Sequence, residues 1–486
     1  MTQHQEAPAP PTALPGEQRR RRVRAPGFLH APRALWLLAA VAFLAYATLS
    51  IRRFVQVESG SWDLGIFVQV VRSYAALEAP VSDIKGVGFN ILGDHFSPIL
   101  VLLAPLYKLF PSAITLLTVQ AALFALSVVP ITRAAIRATD RTKGMMLGCA
   151  YALSWGVQSA VYFDFHEICF AVPLLAFAGE QLLLRRWWAA ARWLLPLLLV
   201  KEDLGLTVAV AGLYVLAEGG RRAGAVLLAS GLAGCAVIVL VLIPAMNNGG
   251  KYEYWRKMDE GSSLGPGNLA GLFLDGTEAK LTTLLLLFGI TAFVAFRSRL
   301  VLLVVPTLGW RFLSGEPHYW STDWHYDAVL MPLLFVALLD GVVRLRQSPR
   351  PWLRGYAAGT VPAVLAVALT LCGRFPIAQL ASPDTYRASD RAASAAQVVA
   401  RVPAGATVET SGGILSHLVD HARVLWVGNA EPLLPEYVVV DLGGWNPASD
   451  GDYVGYAERA HPGASYTTVF RDRHYVVLRE QDARRH

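Results

Sequence analysis

Five short stretches of this 486-residue chain place acids, imidazoles and cations among otherwise apolar sequence. "SWDLGIF" (61–67) carries Asp63, and "GDHFSP" (93–98) carries Asp94 and His95. "YFDFHE" (162–167) carries Asp164, His166 and Glu167, and "VKEDLG" (200–205) carries Lys201, Glu202 and Asp203. "GEPHYWSTDWHYD" (315–327) sets His318 and His325 among tryptophans and tyrosines, with Arg311 just upstream. Three kinds of chemistry suit these side chains. A carboxylate takes the proton of a reacting hydroxyl. Carboxylates with imidazole hold a divalent ion such as Mg or Mn. Lysine and arginine neutralise a phosphate.

Each stretch also has a plainer reading. Asp63 suits a helix N-cap, and Asp94 and His95 suit a loop before a Ser97 cap. Asp164 and Glu167, three apart, would share a helix face as a solvated cap, with His166 pointing elsewhere. Lys201 and Glu202 could pair locally in a helix break. The aromatics of 315–327 suit an interface belt. Being adjacent, Asp94 and His95 diverge unless their loop curls.

The elements that position these residues are apolar. The chain is 54% hydrophobic and only 16% charged, where a soluble domain carries roughly 25% charged residues. Many segments have the length and composition of a membrane-crossing helix. We place them near 34–51, 112–136, 144–162, 168–184, 189–201, 203–218, 223–245, 281–296, 299–313, 326–343 and 354–373, about eleven crossings. The run 97–110 is too short and reads as an interfacial or re-entrant helix; 189–201 reads as half of a broken span.

Charge sets the sidedness. The tail 1–33, rich in proline, alanine and arginine, reads as a disordered cytoplasmic segment. Its "RRRRVR" holds the N-terminus in the cytoplasm, although "AYA" (45–47) also fits a cleaved signal. Alternate loops, "IRATDRTK" (136–143), "RRWWAAAR" (185–192), "EGGRR" (218–222), "FRSR" (296–299) and "RLRQSPRPWLR" (344–354), are all basic. All five then fall on the cytoplasmic side. The polar stretches fall on the other, together with "MNNGGKYEYWRKMDEG" (246–261), whose Lys251, Arg256 and Lys257 break the pattern. Sidedness predicts that Asp63, Asp94 and Glu167 converge on one cavity. The net charge of +7 reflects these cytoplasmic clusters, and nucleic-acid binding is excluded as a function class. Cys149, Cys169, Cys235 and Cys372 lack CxxC spacing and read as small hydrophobes.

The multi-span region covers 34–373, with a long first extracytoplasmic loop at 52–111. Residues 374–486 alternate helical and strand periods. "DRAASAAQVVARV" is helical, "RVLWVG" and "YVVVDLG" are buried strands, and "YTTVFRDRHYVVLRE" is a hairpin turning near Asp472. An odd number of crossings puts this small α/β domain outside the cell.

In serial order, "WDLGIF", "DHFSPILVLLAPLY", "DFHE", "KEDLGL" and "HY" before an apolar span resemble the DUF2079 family of predicted bacterial membrane proteins. That family is grouped with the GT-C superfamily of multi-span glycosyltransferases. The resemblance implies a GT-C-like polytopic α-helical membrane protein of the bacterial cytoplasmic membrane. It implies a polyprenyl-phosphate-linked sugar as donor and an extracytoplasmic acceptor. Asp63 matches the essential carboxylate of the first outer loop, and Asp94 and His95 are further catalytic candidates. The D-x-D pattern common in GT-C enzymes is absent from this loop. On the expected site, Lys201, Glu202, Asp203, Arg311, His318 and His325 bind the substrate or its phosphate. Asp94, His95, Asp164, His166 and Glu167 are the expected metal ligands. Two other classes fit the same clusters. A transporter or lipid flippase would relay ions through them. A noncatalytic assembly or sensing protein would show a collapsed membrane cavity and an exposed apolar patch.

Overall fold

The structure, a computed structural model, describes residues 33–482 apart from 61, 248, 253, 255–274, 445 and 449. The basic tail, and Arg256 and Lys257 of the 246–261 loop, therefore lie outside the described residues.

Among the described residues, five helices are long and apolar enough to cross a membrane: Arg33–Val55, Ala113–Ala138, Arg221–Met246, His325–Arg346 and Pro351–Cys372. The His325–Arg346 window is 83% buried and forms the axis of the bundle, whereas the Arg221–Met246 window is only 22% buried and lies outermost. The other expected crossings are built from shorter pieces. The 144–162 segment divides into Arg141–Ala152 and Trp155–Phe163 at Ser154. The 189–201 segment is broken as expected, with Trp187–Leu194 running into a 3-10 turn at Leu195–Leu199 that carries Pro196 as its second residue. A 3-10 turn at Arg299–Val304 likewise precedes Val305–Leu313. Such turns mark places where regular helix gives way. Residues 97–110 form a 3-10 turn, Pro98–Leu103, followed by Ala104–Leu109. Leu102, Leu109 and Phe110 of that segment are well exposed, as a membrane-surface element would be.

The basic loops gather at one end of the bundle. Arg185 and Arg299 both pair with Glu218, Arg346 donates to the carbonyl of Ala138 at 2.9 Å, and Arg133 and Arg137 clasp Glu180. The acid- and histidine-bearing loops gather at the other end, where Phe163 packs on Trp324 and His166 stacks on His325. Loops of each set thus contact one another, as the grouping read from the sequence implies.

The C-terminal strands form one five-stranded sheet in the order β2-β1-β3-β5-β4. The strands are β1 (Thr407–Thr410), β2 (Arg423–Trp426), β3 (Tyr437–Asp441), β4 (Tyr466–Arg471) and β5 (Tyr475–Glu480). β1 pairs in parallel with β2 and β3, and β5 pairs antiparallel with β3 and β4. The β4–β5 hairpin turns at Asp472, as its alternation implies. One face of the sheet, with Val408, Val424 and Val439, joins the same buried cluster as Leu64, Ile84 and Leu117 of the helical region. Polar contacts fasten the two. Gln69 donates to the Val424 carbonyl at 2.8 Å, Arg423 pairs with Asp83 at 2.7 Å, and Asp420 accepts from the Ala113 amide at 3.1 Å. The sheet therefore braces the first long loop, which carries three of the candidate site residues.

Candidate functional site

The first loop folds back on itself to bring its acids together. Asp63 is the first residue of the helix Asp63–Ala75, with Trp62 at the cap position, so its carboxylate is not the N-cap. Beyond this helix the chain reverses through Gly86 and Gly88, both at positive φ (132° and 74°), where a side chain would be strained. Asp83 accepts from the Gly88 amide at 2.8 Å, and Val81 bridges Asn90. The reversal sets Lys85 3.0 Å from Asp94. Asp94 and His95 do diverge: His95 turns to Glu202, with Nδ1 2.6 Å from Oε1.

The helix break at 201–203 sends three neighbouring side chains to three partners. Lys201 lies 3.2 Å from Glu167. Glu202 takes His95, the Phe96 amide at 3.2 Å and the Tyr252 hydroxyl at 3.0 Å. Asp203 accepts from the Trp310 indole at 2.9 Å. Lys201 and Glu202 thus reach across the fold instead of pairing with each other.

The 162–167 stretch departs from the expected helix. Residues 164–166 are non-helical and Glu167 opens a 3-10 turn, so Asp164 and Glu167 share no helix face. Gln120 imposes this path by donating to the Asp164 carbonyl at 2.7 Å and accepting from the His166 amide at 3.0 Å. Asp164 then accepts from Ser59, while Glu167 lies 2.6 Å from His166 Nδ1 and beside Lys201.

These elements surround one cavity of about 680 Å³. Asp63, Asp94, His95, His166, Lys201, Glu202, Asp203 and His325 all line it. Four expected site residues do not. Asp164 is turned to Ser59, and Glu167 is fully buried behind Lys201 and His166. Arg311, also fully buried, is paired with Asp327 at 2.7 Å and donates to the carbonyls of Tyr319 and Ser321. It shapes the loop that carries Tyr319, His325 and Tyr326 and has no face on the cavity. His318 is exposed, 4.0 Å from Glu316. The convergence expected of Asp63, Asp94 and Glu167 thus holds for the two aspartates, with Glu167 one residue deeper.

Lining residues not singled out in the sequence include Lys85 and the aromatics Trp62, Phe67, Tyr252, Tyr254 and Trp310, whereas Tyr319 and Tyr326 come from the aromatic 315–327 cluster. Lys85 carried a usable signal, because a lysine on the expected outer face runs against the charge asymmetry. The aromatics were masked by their second role as interface residues.

Charge in the rim is arranged in pairs. Burial and the nearby Lys201 oppose protonation of His95, but Glu202 and Asp94 outweigh them and raise its pKa. Burial acts to raise Glu167, yet His166 and Lys201 hold it well below the ordinary carboxylate range. The donors expected to hold a divalent ion fit one poorly, since Lys85 occupies Asp94 and Lys201 occupies Glu167. Among the described residues, no group of three or more His, Cys, Asp or Glu side chains is arranged as a metal site.

The opposite wall is aliphatic. Leu206, Leu232, Cys235, Ala236, Val239 and Leu240 line the same cavity. Leu206, Leu232 and Leu240 are also 39%, 50% and 65% exposed, so this wall is only partly covered by protein. The helix Arg221–Met246 carries a π-helical turn, Ile238–Leu242, at this wall.

A helical bundle with several membrane-length helices, enclosing a charged cavity at one end, defines a multi-pass membrane protein. The chain belongs to the DUF2079 family of predicted membrane proteins, which matches residues 53–452. No curated protein sequence matches the chain. Among solved structures it is similar to ArnT from Cupriavidus metallidurans bound to undecaprenyl phosphate. The TM-score is 0.53 and the identity 14%, over 92% of this chain and 98% of that one. The apo state of the same ArnT gives a TM-score of 0.54 at 14% identity, over 92% and 97%. At such identity the likeness establishes that the chain shares the ArnT fold, and nothing beyond the fold.

Proposed function

We propose that this protein transfers a sugar from a polyprenyl-phosphate donor to an extracytoplasmic acceptor, from the bacterial cytoplasmic membrane. The observation that carries the reading is the cavity, which joins a charged rim to an aliphatic wall only partly covered by protein. A prenyl chain in the bilayer can lie along that wall while its phosphate enters the rim. Undecaprenyl phosphate bound to ArnT, which shares the fold, supports such a ligand. The open cavity also argues against a noncatalytic protein with a collapsed centre. By charge asymmetry the cavity end and the C-terminal sheet face outward, and the arginine-rich loops face the cytoplasm.

In this scheme the acceptor hydroxyl attacks the anomeric carbon of the sugar. Asp63 takes the hydroxyl proton as the new carbon–oxygen bond forms. The bond from the anomeric carbon to the phosphate oxygen breaks, and polyprenyl phosphate leaves with the electron pair. Lys85 and Lys201, which line the cavity, offset the charge that develops on the phosphate. No step is routed through a metal ion.

The test is release of polyprenyl phosphate from candidate donors by the purified protein. Asp63→Asn should lower the rate by about 10²-fold or more, the contribution of a positioned base. Wild-type rates in a folded Asp63→Asn variant would remove Asp63 from this role.

A further inference from the structure

His325 lines the cavity but takes no part in the scheme above. It is 4% exposed, and neither ring nitrogen has a hydrogen-bond partner among the described residues. Buried polar atoms are normally satisfied, so a bare imidazole on a cavity wall calls for a partner from outside the protein. The ring is nevertheless held firmly. It stacks on His166 with centroids 3.6 Å apart and planes 22° apart, and Tyr326 and Phe163 flank it at 4.2 and 5.1 Å. His166 Nδ1 lies 2.6 Å from Glu167, which also lies 3.2 Å from Lys201. Aromatic contacts therefore orient the imidazole while its nitrogens stay available.

The surroundings indicate which ligand group meets it. His325 shares a second void of about 20 Å³ with Lys201 and Asp203. That is room for one water, and Asp203 Oδ1 also has no hydrogen-bond partner among the described residues. A water there would bond one ring nitrogen and leave the other for the main cavity. The turn bearing Lys201 also sits against the aliphatic wall. A Cβ on Gly205 would lie 2.9 Å from Cys235 Cβ and 3.0 Å from the Gly231 carbonyl oxygen. The aliphatic wall, Lys201 and His325 thus line one continuous cavity.

We propose that His325 hydrogen-bonds a phosphoryl oxygen of the lipid-linked ligand, and that His166 is a positioning residue that holds the imidazole by stacking. This rests on the polyprenyl-phosphate reading given above. The test is equilibrium binding to the purified full-length protein in nanodiscs, with undecaprenyl phosphate, undecaprenol and inorganic phosphate as separate probes. His325→Phe keeps the stacked ring and removes both nitrogens. It should weaken undecaprenyl phosphate binding about tenfold, the value of a hydrogen bond to a charged group. Undecaprenol binding should not change. His166→Ala should weaken binding similarly, and His166→Phe, which restores a stacking ring, should recover it. Wild-type affinity in folded His325→Phe overturns the contact, and equal loss for undecaprenol overturns the phosphate assignment. Inorganic phosphate binding as tightly as the lipid would overturn the lipid source. Wild-type affinity in His166→Ala, or no recovery in a folded His166→Phe, overturns the positioning role. If His325→Phe does not fold, His325→Ala is read by the same criteria. A wild-type protein that binds no undecaprenyl phosphate sinks the functional reading itself, whereas a binding wild type with unaffected variants sinks only this inference.

Discussion

Asp63 lies close enough to Asp164 that its negative charge disfavours ionisation of the Asp164 carboxyl. The Asp164 carboxyl is pushed up to about 7, chiefly by burial and further by Asp63, against the opposing pull of Arg53 and the Ser59 hydroxyl. The consequence for stability has a definite sign. The unfolded carboxyl titrates near 3.8 and the folded one near 7. Between those values the folded protein binds the extra proton, so stability falls as pH rises through that window and levels off above it. Asp164→Asn removes the titration. Its thermal stability relative to wild type should therefore improve steadily from about pH 4 to about pH 7. A difference that stays flat across the window, in melting curves at matched ionic strength, would contradict the assignment. At this scale the acids were legible in sequence because charge inside apolar sequence is conspicuous. Their partners were not, since Lys201 meets Glu167 and His95 meets Glu202 only through folding. Arg311 had the right type and position for a phosphate, but Asp327 sixteen residues later takes up its guanidinium.

The Leu204–Ala217 helix and the long helix Arg221–Met246 pack through glycines. A Cβ at Gly231 would stand 2.5 Å from the Ala209 amide nitrogen, and one at Gly212 would stand 2.4 Å from that of Leu228. Backbones this close need small residues at the crossing. Gly231→Val should force the helices apart and displace the turn bearing Lys201 and Asp203. Overpacking of this kind costs about 1–3 kcal/mol, to be read as a lower melting temperature together with weaker lipid-phosphate binding. Unchanged melting and binding would show that the crossing does not position the site. Apolar runs and strand alternation made the existence of most elements readable. Their interruptions were less so, because a proline or serine within an apolar run fits a continuous span as well as a break. The union of the C-terminal sheet with the first loop was unreadable, since Arg423–Asp83 and Gln69–Val424 join residues more than 300 positions apart.

At the scale of the whole molecule, charge asymmetry organises everything else. Arginines tie one set of loops together, and carboxylates, imidazoles and aromatics face one another at the opposite end. That separation was readable because it depends on loop composition, which survives errors of several residues in helix ends. The partly covered aliphatic wall was not, because it depends on how the helices pack around the cavity. The central claim is that a lipid phosphate enters past this wall. A photoactivatable undecaprenyl phosphate, carrying its reactive group near the head and mapped by mass spectrometry, tests it directly. Labelling should fall on Leu232, Val239 and Leu240 along the cavity wall, and excess unlabelled undecaprenyl phosphate should suppress it. Labelling confined to other lipid-facing helices such as Arg33–Val55, or indifferent to the competitor, would contradict the account.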